Sequence, residues 1–270
     1  MDWSKIKTIF IISFLLLDLY LLYEFLKLEN ASQYEIMTET SIDKQLKTDG
    51  IEYNELPQGE MKDNFLSAIP KSFSSDELKW YGNSKLNNQS ITISNKTFLL
   101  ESVLKRPLKL GKNIEQADLN AFISKNVLYG DQYRFWEFNE TQHTITYYQQ
   151  YGEKSFFKNI YGELTFYLND QNEVISYKQT LLKDVKELKK KEKILQPIEA
   201  IETLYEKGMI EPNSKITNVE LGYYTLVHLT SSQVLTPAWR VVINNKTDLF
   251  VNAFEGQLIQ LNNEDKKIVE

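Results

Sequence analysis

Residues 111–151 read GKNIEQADLNAFISKNVLYGDQYRFWEFNETQHTITYYQQY, and their pattern decides the fold class. Asn113 suits a helix N-cap, with Gln116 three positions on as its capping-box partner. Ile114, Ala117, Leu119, Phe122, Ile123 and Val127 then recur with a helical period, and Gly130 closes the run. After Gly130 the period becomes that of strands. Tyr133–Phe138 and Thr144–Tyr151 flank a turn at Asn139-Glu140, and Gly162–Leu168 and Val174–Thr180 flank Asn169-Asp170-Gln171-Asn172. A helix followed by antiparallel strands predicts an α+β unit.

Toward the C-terminus the same order returns. Pro197 suits a first helical turn, Ile198, Ala200, Ile201, Leu204 and Tyr205 form a buried stripe, and Gly208 is the cap. Strands are expected at Lys215–Val227, Pro237–Ile243, Leu249–Ala253 and Gln257–Leu261, with a turn at Asn244-Asn245. This predicts a structural duplication without clear residue identity. Trp239, between Pro237-Ala238 and the alternating Arg240–Ile243, is expected in the core of the second unit. The connector Lys183–Lys193 holds six lysines and three acids and reads as a solvated segment where the units meet. As a nucleic-acid patch it lacks interleaved aromatics.

Toward the N-terminus, Ile6–Leu26 reads IKTIFIISFLLLDLYLLYEFL. At about 1.5 Å per residue it is about 31 Å long, enough to cross a bilayer core. A cleaved signal peptide is the alternative, but the apolar run is long and its exit, YEFLKLENAS, offers only Ala31 and Ser32 as a small pair. Lys5 and Lys7 precede the span and Lys27 alone follows closely, which predicts a cytoplasmic N-terminus and an extracytoplasmic remainder. Lys7 and Glu24 lie near the two ends of the run, and Asp18 is the charged residue deep inside it. A carboxylate at a bilayer centre costs about 2.5–3.5 kcal/mol on insertion scales. Either Asp18 faces a protein partner or the helix slides to bring it to the outer interface. The expected layout is a cytoplasmic N-terminus over 1–5, a transmembrane helix over 6–26, a linker over 27–60, a first α+β unit over 61–185 and a second over 186–270.

Composition narrows the chemistry. The net charge of −6 argues against a general nucleic-acid binder. The chain has no cysteine and only two histidines, His143 and His228, which removes disulfides, thiolate sites and a multi-histidine zinc site. No phosphate-binding, dinucleotide or hydrolase motif occurs. Acid pairs such as Asp76-Glu77 and Glu137/Glu140 are unremarkable among 37 acids. Tyr147, Tyr148, Tyr151, Phe156 and Phe157 form an aromatic strip that could stack on peptide or glycan, or supply core on one sheet face. No catalytic residue, cofactor or metal ligand is expected.

Several stretches resemble one family. The N-terminal MDWSKIKTIFIISFLLLDLYLLYEF, Pro197–Tyr205 (PIEAIETLY), Leu221–Thr225 (LGYYT), Pro237–Arg240 (PAWR) and Ile175–Gln179 (ISYKQ) are similar to the YycI (WalI) family. The likeness is weakest between Lys27 and Arg106. The last strands also resemble a PepSY-like pattern, with Ala253-Phe-Glu-Gly256 as its turn. The resemblance implies a non-enzymatic single-pass membrane protein with an extracytoplasmic α/β domain. With YycH it would bind and modulate the sensor histidine kinase YycG (WalK), in control of cell-wall metabolism. The alternative is an envelope protein that itself binds peptide or glycan.

Overall fold

The structure is a computed structural model that describes residues 3–31, 35–82, 86, 88–94, 98–111 and 116–259. It shows an α+β protein with an N-terminal apolar helix and a sheet-rich remainder. The chain divides into two compact units. The smaller runs to Glu52 and includes Glu211–Lys215; the larger holds Tyr53–Ile210 and the chain from Ile216.

The smaller unit contains α1 (Trp3–Ala31) and α2 (Glu35–Thr48). Residues expected as a linker thus carry the end of α1 and all of α2. The sequence EIMTETSIDKQLKT is rich in good helix formers, which outweighs its weak apolar pattern. Ile42 and Leu46, one turn apart, are buried. The helix closes in a Schellman motif: Gly50 N–H donates to the Lys47 carbonyl and Ile51 N–H to that of Leu46. Gly50 has φ +67°, a conformation that only glycine adopts without penalty. A Cβ there would also meet Asn213 Oδ1 at 2.5 Å.

In chain order the remaining elements are β1 (Glu52–Tyr53), β2 (Lys62–Asp63), β3 (Leu66–Pro70), α3 (Ser75–Gly82), β4 (Gln89–Ser94), β5 (Leu99–Lys109), α4 (Gln116–Asn126), β6 (Tyr133–Asn139), β7 (Thr144–Tyr151), β8 (Lys154–Ser155), β9 (Glu163–Leu168), β10 (Glu173–Gln179), β11 (Leu182–Glu187), β12 (Glu192–Lys193), α5 (Pro197–Glu206), β13 (Lys215–Tyr224), β14 (Gln233–Ile243), β15 (Thr247–Asn252) and β16 (Leu258–Ile259). Among the described residues two large antiparallel sheets result, beside a small antiparallel pair of β2 and β12. The first has the order β4-β5-β10-β9-β7-β6, with β8 on β7. The second has β13-β14-β15-β16, with β3 on the start of β14 and β11 on β3.

Each sheet carries a helix. Leu119, Ile123 and Val127 of α4 and its end join Leu100, Ile145, Tyr147, Leu164, Phe166 and Tyr177 in one core. The Asn113 cap lies outside the described residues. α5 lies against β14 and β15 and buries Ala200, Ile201 and Leu204. It starts with a Gln196/Glu199 capping box and Pro197.

The structure departs from the sequence pattern at four strands. β3 joins the second sheet, although residues 66–70 fall in the stretch assigned to a first unit. β11 and β12 occupy the lysine-rich connector. Leu182 and Val185 pack inward, while the lysines stay in water at a sheet edge, where lysine blunts further strand addition. β5 reads LLESVLKRPLK and shows no clean alternation, because its buried residues lie in its first half and Leu108 alone of its second half packs, partly buried, against the core.

Candidate functional site

Three features of these elements bear on function: the apolar helix, the joint between the sheets and an open sheet face. In α1, Ile6–Glu24 forms a candidate membrane span of 19 residues with mean hydropathy 1.9, none of it buried. A helix that is apolar all round needs a non-aqueous surrounding, and an unburied one of this length suits a bilayer. Asp18 is exposed on it, and the Lys7 ammonium lies 5.7 Å from the Trp3 ring centroid near its start.

At the joint, Trp136 and Tyr148 of the first sheet pack on Phe157, Tyr224, Ala238 and Phe250. The Arg240 guanidinium lies 3.8 Å from the Trp136 ring centroid. Its Nη1 donates to Glu220 Oε1 at 2.6 Å and its Nε to Asp248 Oδ1 at 2.9 Å. Arg134 reaches the other Glu220 oxygen at 3.5 Å. Strand pairing builds this cluster, since Glu220 lies directly opposite Arg240, and Asp248 is two residues from its other neighbour, Phe250. Gly222 N-terminal to Tyr223 lets the Phe157 ring lie on the β13 backbone; a Cβ would meet that ring at 2.3 Å. Behind it, Asn159 Nδ2 donates to Thr225 Oγ1 and Gln233 Oε1, both at 2.9 Å. Asp63, 1% exposed, accepts from Lys154 Nζ at 2.6 Å and from the Tyr223 hydroxyl at 2.8 Å.

The open face lies opposite α4. Its pairing aligns residues in straight rows. Glu137, Thr146, Thr165, Lys178, Glu101 and Thr92 follow one another across β6, β7, β9, β10, β5 and β4. Thr144 faces Tyr167 in the next row, and Tyr148 faces Glu163 on the other side. Apart from Glu101 and Thr92, these residues line a trough of about 430 Å³, with Ile160, Leu99 and Gln142 at its margins. Thr146 and Thr165 are 9% and 8% exposed, low for the polar face of a sheet. Thr165 Oγ1 donates to Glu163 Oε1 at 2.7 Å, and Lys178 pairs with Glu101 at 3.1 Å. Burial, and the carboxylates of Glu163 and Glu137, hold the Tyr148 phenol well above its ordinary range.

The residues singled out in the sequence fall in different places. Trp239 is 1% exposed on β14, and its ring N–H donates to the Leu195 carbonyl at 2.9 Å, just ahead of α5. Asp18 stands apart on α1. His143 occupies an exposed turn with φ +51°, and His228 is half-buried in the loop between β13 and β14. Glu77 accepts from the Tyr129 hydroxyl and pairs with Lys71, a structural role. Of the aromatic strip, Tyr151 is exposed. Tyr147 belongs to the α4 core, Tyr148 and Phe157 to the joint, and Phe156 packs with Tyr223. Among the described residues no group of three or more His, Asp or Glu side chains is placed to hold a metal ion. Sequence reading missed the joint and the trough. Arg134 and Arg240 are two of only three arginines, and that rarity was the available signal.

Comparison with known proteins adds a family. The profile described as YycI protein matches residues 30–254. No curated protein matches the chain. Among solved structures, an uncharacterized protein from Eubacterium rectale is similar with a TM-score of 0.48 at 10% identity, over 79% of this chain and 92% of that one. YycH from Bacillus subtilis gives 0.45 at 14% identity, over 75% of this chain and 54% of that one. The YpeB C-terminal domain from Bacillus megaterium gives 0.39 at 15% identity, over 72% of this chain and all of that one.

Proposed function

The chain belongs to the YycI family, and from that membership we propose that it is a membrane-anchored regulator, without enzymatic activity of its own, that binds and modulates the sensor histidine kinase YycG (WalK) together with YycH in control of cell-wall metabolism. The family match over residues 30–254 carries this reading, because it covers most of the chain outside the candidate span. YycI is a regulatory protein family, and the match supports a role in a two-component system. The apolar helix is consistent with a single-pass membrane protein.

The proposed orientation places the N-terminus in the cytoplasm and both sheets outside, from the lysines that precede the span. The anchor then meets the helices of the kinase within the membrane. Packing there, with interhelical hydrogen bonds of about 0.6–2 kcal/mol each, is enough to bias a kinase balanced between two states. Affinity purification of the full-length chain from membranes that also contain the kinase and YycH is the test. Recovery of both with the parent, and loss of the kinase when α1 is replaced by an unrelated span, is the expected result. Failure to recover either protein would end the proposal.

A further inference from the structure

The loop between β13 and β14 presents apolar side chains to water, and the geometry points to an anionic bilayer surface as what it docks on. This inference goes beyond the kinase reading and shares with it only the reading of α1 as a membrane anchor. Outside α1, Leu226 and Val227 are the most exposed large apolar side chains among the described residues, at 67% and 62%, and Leu229 is at 52%. The base of the loop is held. Thr225 and Gln233 are buried at its two ends and both accept from the Asn159 amide, while Gln233 Nε2 donates to the Leu229 carbonyl at 3.2 Å. An apolar tip on a fixed base is preorganised for insertion, so binding pays little for ordering. Exposed apolar patches of this kind mark interaction sites.

The strands beside the loop select the partner. Val234 and Ile69 extend the apolar surface. Ser67 lies opposite Val234 on one side and Lys186 on the other, and Lys183 lies opposite Ile69. Lysines therefore border the apolar strip one or two interstrand steps away, about 5–10 Å. Lys183 meets Asp184 at 3.9 Å, an exposed pair of little worth in water. Lys186 has no acidic partner among the described residues, and Glu187 stands opposite the buried Leu66, on the other face. From Leu221 to Trp239 the chain contains no Asp or Glu. Aliphatic side chains bordered by lysine suit lipid: the chains enter the acyl boundary while the ammonium groups stay with anionic headgroups. A protein partner fits less well. Protein interfaces favour Trp, Tyr and Arg at their cores and are depleted in lysine, and Leu and Val are under-represented among their hot spots. The anchor makes the lipid contact intramolecular, so a weak affinity suffices.

The test uses the full chain in nanodiscs of phosphatidylcholine, alone or mixed with phosphatidylglycerol, with brominated acyl chains as quencher. The sequence has no cysteine, so Thr230→Cys, exposed in the loop, takes a single bimane label. Incorporation into the discs reports the anchor by itself, so its failure is told apart from failure of the loop. Quenching is expected in the anionic discs and not in phosphatidylcholine alone. Lys183→Gln with Lys186→Gln should lower the docked-to-free ratio about thirtyfold, at about 1 kcal/mol per lysine near an anionic surface. Leu226→Asp with Leu229→Asp should abolish quenching, with the thermal midpoint unchanged. Slower amide hydrogen exchange across 226–232 of the unlabelled parent in anionic discs is the matching result without a dye. No quenching in anionic discs, equal quenching in both compositions, quenching that neither double variant changes, or protection that arises only when YycH is added overturns the assignment, the last by giving the patch to a protein partner.

Discussion

Gly222 shows how one missing Cβ positions a joint. The Phe157 ring occupies the space over β13 that a side chain at 222 would need, and the Ser155 carbonyl closes the other side at 2.6 Å from the Cβ position. Because the obstruction includes backbone, it cannot relax by a rotamer change. Gly222→Ala is expected to cost about 1–3 kcal/mol or more through overpacking, read as a fall in the thermal midpoint. Arg240 is the second such residue. Its guanidinium is stacked on Trp136 and bonded to two carboxylates on neighbouring strands, so Arg240→Ala strands Glu220 and Asp248 beside an apolar cluster. A loss of about 3 kcal/mol is expected, and adding Glu220→Gln and Asp248→Asn should recover part of it. Additive effects in that cycle would show that the three groups are not coupled.

At the scale of elements, Asp18 is a property of α1 rather than of a pocket. If it makes a hydrogen bond to a partner helix, Asp18→Leu weakens recovery of the kinase at matched membrane levels while Asp18→Asn keeps most of it. Equal recovery for all three would put Asp18 at the outer interface. Its prominence comes from contrast, one carboxylate in a long apolar run, and contrast of this kind is legible in a sequence. So were α4, α5, β6, β7, β9 and β10, whose apolar spacing is local and whose turns carry Asn and Asp. β3, β5 and β11 were not. Half-burial breaks the alternation of β5 and β11, and β3 finds its partners β11 and β14 far along the chain. The trough was hidden for the same reason. Glu137, Thr146, Thr165 and Lys178 look scattered in sequence, and only the register of three strand pairs sets them in a row.

For the whole molecule, buried phenols set the alkaline limit. Burial pushes Tyr147 up to about 12. It also raises Tyr133 and Tyr177 well beyond the ordinary phenol value, against hydrogen bonds that pull the other way. An unfolded tyrosine loses its proton near pH 10. Above that value the unfolded chain therefore binds fewer protons than the folded one, and stability falls as pH rises. Below pH 10 the contribution is fully present. Each such phenol removes at most about 1.4 kcal/mol per pH unit. Near-ultraviolet circular dichroism of the full chain between pH 9 and 12, with phenolate absorbance, should show ionisation coinciding with loss of tertiary structure (about pH 10 upward). Smooth ionisation near pH 10 with the fold intact would refute it.

β3 also carries a consequence in time. It hydrogen-bonds to β11 on one side and to the first residues of β14 on the other, both much later in the chain. A polypeptide that emerges N-terminus first presents β3 with one edge bare until Leu182–Glu187 have followed and the other until Gln233–Leu235 have. Pairings of such wide sequence separation form slowly, and bare edges aggregate meanwhile. The second sheet therefore cannot be assembled piecemeal as synthesis proceeds. It must wait for nearly the whole chain, and a nascent molecule spends that interval dependent on whatever shields unpaired strands at the site of its release.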